Sequence, residues 1–282
     1  MPILSIQSHV AYGHVGNSAA VFALQRLGHD VWPVHTVQFS NHTGYGSWRG
    51  RVFDAALVRD VVEGIEERGA LAQCDAVLSG YVGDAAVGEA ILDAVARVRR
   101  ANPSALYCCD PVIGDREQGA FVRPGVAEFM RDCAVPAADI VTPNHFELDL
   151  LAGACSSTLQ AAKAAVERVH TLGPRIVLVT SLRTEETPAD ALDLLGSDGG
   201  GCWRIRTPRL AVPANGAGDL IAALFLARYL TNRSVPEALS LAAAGVFGVL
   251  SAQQRTGMRE LPLVQAQDQL VEPDHSFAVE RV

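Results

Sequence analysis

Charge is scarce in this sequence: Asp, Glu, Lys and Arg supply 19% of its 282 residues and leave a formal net charge of −8. A chain balanced that way lacks the basic face that a nucleic-acid backbone requires, so nucleic acid is excluded from the expected partners. Phosphate as such is not excluded, because a local site can be built from backbone amides. Long hydrophobic runs are missing too; none approaches the roughly 20 residues of a membrane-spanning helix, and no membrane partner is expected. The opening Met1-Pro-Ile-Leu-Ser-Ile-Gln-Ser8 has no basic stretch ahead of an apolar one and is expected to be a strand, not a signal peptide. The six cysteines (Cys74, Cys108, Cys109, Cys133, Cys155, Cys202) show no C-x-x-C spacing. They are expected to be reduced and structural, neither bridged nor metal-bound, which puts the protein in the cytoplasm. Linkers rich in Pro or Ser, charge blocks and internal repeats are absent. One domain over residues 1–282 is the expected organisation, and 49% apolar content suffices for a large core.

What is present is an alternation. Short apolar runs at 3–7, 31–36, 76–79, 105–110, 140–142 and 176–180 are separated by Ala- and Leu-rich segments of helical period at 18–27, 55–67, 87–101, 126–133, 145–151 and 158–172. This predicts an α/β fold, a three-layer αβα sandwich whose mostly parallel central sheet carries helices on both faces. The strands are apolar almost throughout, as strands covered on both faces must be. Beyond Thr180 the pattern changes. Residues 193–195 and 202–206 bracket Gly196-Ser-Asp-Gly-Gly-Gly201 and read as an antiparallel pair, with long apolar helices following at 219–230 and 235–251.

The stretch richest in chemistry is Ala214-Asn-Gly-Ala-Gly-Asp219, which opens the first of those helices. Gly216 and Gly218 allow a tight turn and close approach of the backbone to a ligand. With Ala217 they present unpaired amides at a helix start, where the helix dipole favours an anion such as a phosphoryl group in transfer. Asp219 beside that nest is a carboxylate able to take a proton from an attacking hydroxyl. An ordinary turn with Asp219 as a helix N-cap would use the same residues. A second unusual segment, Asn41-His-Thr-Gly-Tyr-Gly-Ser-Trp-Arg-Gly50, follows a strand and is polar, with three glycines and two aromatics. Composition alone leaves a surface loop and a ligand-covering flap, around 38–50, equally open.

Further segments carry a family resemblance: Ile6-Gln-Ser-His-Val-Ala-Tyr-Gly-His14, Gly16-Asn-Ser-Ala19, Val37-Gln-Phe-Ser-Asn-His-Thr43, Leu78-Ser-Gly-Tyr-Val-Gly83, Asp110-Pro-Val-Ile-Gly114 and Thr142-Pro-Asn-His-Phe-Glu147. With Gly216–Asp219 as an anion hole, they resemble bacterial pyridoxal kinases of the ribokinase-like superfamily, in order and over almost the whole chain. The resemblance implies a homodimer that transfers the γ-phosphate of ATP to the 5′-hydroxyl of pyridoxal with Mg²⁺ present. It implies that Ser8 hydrogen-bonds the pyridine ring and that Thr43 contacts substrate from a flap. Asp110 and Glu147 would organise the metal and triphosphate, directly or through water, and Asp219 would be the base. Thr207-Pro208-Arg209-Leu210 corresponds to the family's nucleotide edge, where Arg206 and Arg209 are either nucleotide contacts or surface residues.

Two positions depart from the family pattern. Thr180 stands where a lysine or similar residue is common and offers only a hydroxyl to a phosphate. Gly44 stands where glutamine is frequent and removes a side-chain contact to the substrate. Taken singly, Ser8, Asp110 and Glu147 also read as a strand end, a strand exit and helix-dipole compensation, and Tyr81 reads as core-facing. No histidine has metal-ligand spacing. Gly13-His-Val-Gly16 is not the glycine fingerprint of a dinucleotide-binding turn, and Asp30 precedes its strand instead of ending it, which argues against an oxidoreductase. The remaining alternatives are a kinase for another B6 vitamer, for a hydroxymethyl-pyrimidine or for a sugar, or a weakly active B6-binding protein.

Overall fold

Strands that are apolar on both faces need two covering layers, and the computed structural model, which describes residues 1–282, supplies both. Side chains alternate across the sheet. Ile3, Ala76, Leu78 and Cys108 join a core of 36 buried residues on one face, while Leu4, Ile6, Val77 and Tyr107 join one of 37 on the other. The near equality of the two cores explains why the strands show no polar face.

The strands are β1 (Pro2–Val10), β2 (Asp30–Phe39), β3 (Gly50–Val52), β4 (Ala76–Ser79), β5 (Leu106–Cys109), β6 (Gly114–Asp115), β7 (Gly119–Ala120), β8 (Ile140–Val141), β9 (Ile176–Leu182), β10 (Ala191–Ser197), β11 (Cys202–Pro208) and β12 (Glu280–Arg281). Ten of them form one sheet in the order β12-β11-β10-β9-β8-β5-β4-β1-β2-β3, and β6 and β7 make a separate hairpin. From β2 to β9 the neighbours are parallel, and the additions at both edges are antiparallel. The chain leaves β1 for β2 on one side and later returns to β4 on the other. That reversal opens a crevice at the carboxyl ends of β1 and β4, the usual ligand position in such sheets.

Helices α1 (Asn17–Arg26), α8 (Ala217–Asn232), α9 (Val235–Thr256) and α10 (Asp268–Val271) cover one face. The other face carries α2 (Ala55–Glu67), α3 (Ala85–Ala101), α4 (Val126–Phe129), α5 (Val135–Ala137), α6 (His145–Ala152) and α7 (Leu159–Leu172). Asp54, Asp84, Thr158 and Ser234 each accept a backbone N–H at a helix start, fixing where α2, α3, α7 and α9 begin. The helix expected at 126–133 runs on to 137 through a π-helical turn, Met130–Ala134. The expected lack of a span-length apolar run is corrected by α9: an 18-residue window within its 22 residues has a mean hydropathy of 1.6, long and apolar enough to cross a membrane. In this fold 61% of that window is buried, against α8 and α10. The sequence reading stopped at Ser251, before the polar last turn.

Candidate active site

The first turn of α8 is shaped by one glycine and opened by another. Gly216, the N-cap residue, has φ +83°, and a Cβ there would lie 1.9 Å from the His14 carbonyl oxygen. Only glycine tolerates both conditions. Gly218 lies within the helix, and nothing stands within 4 Å of where its Cβ would be. It is not needed for a tight turn, as the sequence suggested; it keeps that side of the helix clear. Asp219 is not the N-cap but a residue of the first turn. Burial pushes its carboxyl up to about 6, against the lowering effect of the Gly16 and Asp219 N–H groups. At neutral pH it is an ionised carboxylate with more than the usual affinity for a proton.

This turn lies between two cavities. The larger, of about 640 Å³, is lined by Asp219, Gly216, Ser8, Thr43 and Gly44, among others. Ser8 comes from the end of β1, which a buried polar network holds in place. Asn17 Nδ2 donates to the carbonyls of Ser5 (3.3 Å) and Val34 (3.0 Å), Ser5 Oγ donates to Asn17 Oδ1 (2.7 Å), and Gln7 Nε2 donates to Ser5 Oγ (3.0 Å). Gln7 is therefore a support for Ser8. Thr43 and Gly44 sit on a 3₁₀ turn, Thr43–Tyr45, in the segment between β2 and β3. His42 Nδ1 accepts the Gly44 N–H at 3.2 Å, and a Cβ on Gly44 would lie 2.9 Å from that nitrogen. The missing side chain at Gly44 thus has a local cause, the histidine cap.

Tyr81, Val112, Asp115, Gln118 and Phe121 also line this cavity and were not found from sequence. Tyr81 faces the cavity and is not confined to the core. Asp115 and Gln118 arrive on the β6–β7 hairpin, whose two-residue strands carry no readable period.

The smaller cavity, of about 150 Å³, is lined by Thr180, Thr207, Pro208 and Leu210, with Ala217 and Gly218 from α8. Its remaining walls include Leu192, Leu194, Val246, Phe247 and Leu250, an apolar slot. Arg209 is exposed and outside this lining, and its N–H donates to the Asp190 carbonyl at 2.7 Å. Arg206 is engaged within the sheet. Its guanidinium grips the buried Asp193 through Nε (2.6 Å) and Nη2 (2.8 Å), a bidentate pair within the β10–β11 hairpin.

Asp110 and Glu147 are buried close to Asp219. Burial raises the Asp110 carboxyl well above the ordinary range, and the charges of Glu147 and Asp219 raise it further, while the Thr142 hydroxyl donating to Oδ1 (2.9 Å) opposes them. Burial also pushes Glu147 up to about 7. Both Glu147 oxygens are already engaged: Oε1 accepts from the N–H groups of Ile113 (2.8 Å) and Gly114 (3.3 Å), and Oε2 from that of Asn144 (2.9 Å). With both oxygens so engaged, Glu147 clamps the loop after Asp110 to the start of α6. Mutual repulsion of buried carboxylates is the condition that a hard cation relieves, so the residues fit Mg²⁺.

The comparisons with known proteins point the same way. A family described as phosphomethylpyrimidine kinase matches residues 52–264. A pyridoxal kinase PdxY of Rubrobacter xylanophilus is 58% identical over 281 residues, 99% of this chain and 97% of the relative. One from Deinococcus radiodurans is 53% identical over 286 residues, 99% and 96% of the two chains. The solved pyridoxal kinase from Leishmania donovani, in complex with ADP and pyridoxamine, matches with a TM-score of 0.91 at 30% identity, covering 100% of this chain and 99% of the other. The three-layer, ribokinase-like fold expected from the sequence stands. The chain belongs to the PdxY pyridoxal kinases, within the phosphomethylpyrimidine kinase family.

Proposed function

We propose that this protein transfers the γ-phosphate of ATP to the 5′-hydroxyl of pyridoxal, giving pyridoxal 5′-phosphate in B6 salvage. One observation carries the reading: a single helical turn separates two cavities, with Gly218 lining one and Asp219 the other. A donor held on one side and an acceptor on the other would meet across that turn, so most of the acceleration comes from positioning. Asp219 takes the proton of the attacking hydroxyl, and the amides of 216–219 stabilise the charge that gathers on the transferred group. Ser8 hydrogen-bonds the pyridine ring and Thr43 covers it from the flap. The apolar slot receives the adenine, with Thr180 and Thr207 at its edge. Mg²⁺, with Asp110 as ligand and Glu147 reaching it through water, would neutralise triphosphate charge.

We further propose that residues 1–282 work as one catalytic unit, as a homodimer and in the cytoplasm. Support for the compartment is that four of six free cysteines are buried as small apolar groups; the dimer rests on the family resemblance.

Asp219→Asn should lower kcat by about 10³-fold while ADP binding, measured by calorimetry, stays within a factor of about two. Because burial places the folded carboxyl near 6, activity should fall as pH drops through that value and the base is protonated, and should hold above it. Near-normal turnover by Asp219→Asn would remove the proposed base.

A further inference from the structure

The flap that carries Thr43 and Gly44 is tied down from outside the cavity. The Tyr45 hydroxyl donates to Glu260 Oε1 at 2.5 Å. The Arg259 guanidinium lies over the Tyr45 ring, 3.6 Å from its centroid, and donates to the Gly44 carbonyl at 3.4 Å. Glu260 is buried, 8% exposed, and its second oxygen accepts the His14 N–H at 3.3 Å. Gly13, at φ +95°, makes room for it; a Cβ there would fall 2.0 Å from Glu260 Oε2. The same two residues also connect to the anion-hole side. The buried Gln253 amide donates to the carbonyls of Arg259 (3.0 Å) and Pro213 (2.9 Å), and Pro213 lies on the segment leading into Gly216. Three walls of the larger cavity therefore converge on one dipeptide: the flap, the loop after Ser8 and the approach to α8.

We propose that Arg259 and Glu260 are positioning residues of the kinase, a latch that holds Tyr45 and thereby sets Thr43 and Gly44 over the substrate. The inference rests on the pyridoxal-kinase reading for its kinetic consequences. Neither residue lines either of the two cavities, so each acts on them through Tyr45 and the backbone. The bond to a carboxylate is charge-assisted and holds the flap more firmly than a neutral partner would. Thr43 and Gly44 line the acceptor cavity from this flap, so the latch fixes the position of that wall. The apolar slot borders the larger cavity only at the first turn of α8 and shares no lining residue with it.

Glu260→Gln removes the charge of the acceptor and Tyr45→Phe removes the donor, neither adding bulk. Each should raise the KM for pyridoxal by about 10-fold, lower kcat by less, and leave the KM for ATP within about twofold. Trp48, on the flap and packed against Phe39 at 4.1 Å, gives a readout independent of turnover. With Trp32 and Trp203 replaced by phenylalanine, acrylamide quenching of Trp48 should increase in both latch variants, and pyridoxal should protect it less than in the parent. Glu260→Asp should restore part of both effects. Unchanged pyridoxal KM and unchanged quenching would overturn the latch. So would equal rises in both KM values with a lowered melting temperature, the sign of a merely structural contact. If the parent enzyme failed to phosphorylate pyridoxal, the functional reading would fall, while Trp48 quenching would still decide the latch.

Discussion

The two cavities that meet on α8 are made by different means. Around the larger one, polar groups arrive from β1, the flap, the β4 exit, the β6–β7 hairpin and α8, segments spread over more than two hundred positions. The smaller is walled almost wholly by residues after Thr180, and eleven of its sixteen lining residues are hydrophobic. A ring with several polar substituents needs donors and acceptors fixed in place, whereas a purine can be held by shape and apolar contact. Such a division confines damage: loss of a polar group should strike one substrate, and loss of slot packing the other.

Three substitutions test that division. The largest effect is expected at Asp110, the buried carboxylate that feels the charges of Glu147 and Asp219 and lines neither cavity. Asp110→Asn should weaken the response to magnesium by about 10- to 100-fold, read as the metal concentration giving half-maximal rate. The same change removes a buried charge that burial and two neighbouring carboxylates disfavour, so it should raise the melting temperature of the metal-free protein at pH 8. The sign follows because the folded pKa lies above the unfolded one, so the penalty grows as pH rises through that interval. Next comes Ser8→Ala, which should raise the KM for pyridoxal by about 10-fold and leave that for ATP alone. The smallest effect is expected from Phe247→Ala in the slot, a rise of about threefold in the KM for ATP with that for pyridoxal unchanged, as partial loss of apolar contact implies. An equal rise in both KM values for either of the last two would break the comparison.

The same contrast explains what was legible in the sequence. The tetrad Gly216–Asp219 could be read because a left-handed glycine and a buried acid are both unusual at the start of an apolar helix. Helix α2 and strand β4 were placed at their observed bounds, since Asp54 caps the one and a short, fully buried apolar run defines the other. Of the slot, Thr180, Thr207, Pro208 and Leu210 were legible through the family resemblance, and its apolar walls were not. Leu194, Val246 and Phe247 continue the period of β10 and α9, and nothing local separates a residue facing a cavity from one facing the core. Arg209 lies outside the lining although its neighbours Thr207, Pro208 and Leu210 belong to it, because adjacency in sequence does not fix a side on leaving an antiparallel strand. Glu260 carries no motif, and its meaning comes entirely from meeting Tyr45 and His14, more than two hundred residues earlier.

The most direct measurement of the central claim is made on the unmodified enzyme. Purified protein is supplied with ATP, Mg²⁺ and an equimolar mixture of pyridoxal and a hydroxymethyl-pyrimidine, and the phosphate monoesters formed are followed by phosphorus NMR. The account predicts that pyridoxal 5′-phosphate accumulates first and in excess, with one ADP released per monoester. Phosphorylation of the pyrimidine alone, with pyridoxal untouched, would contradict it.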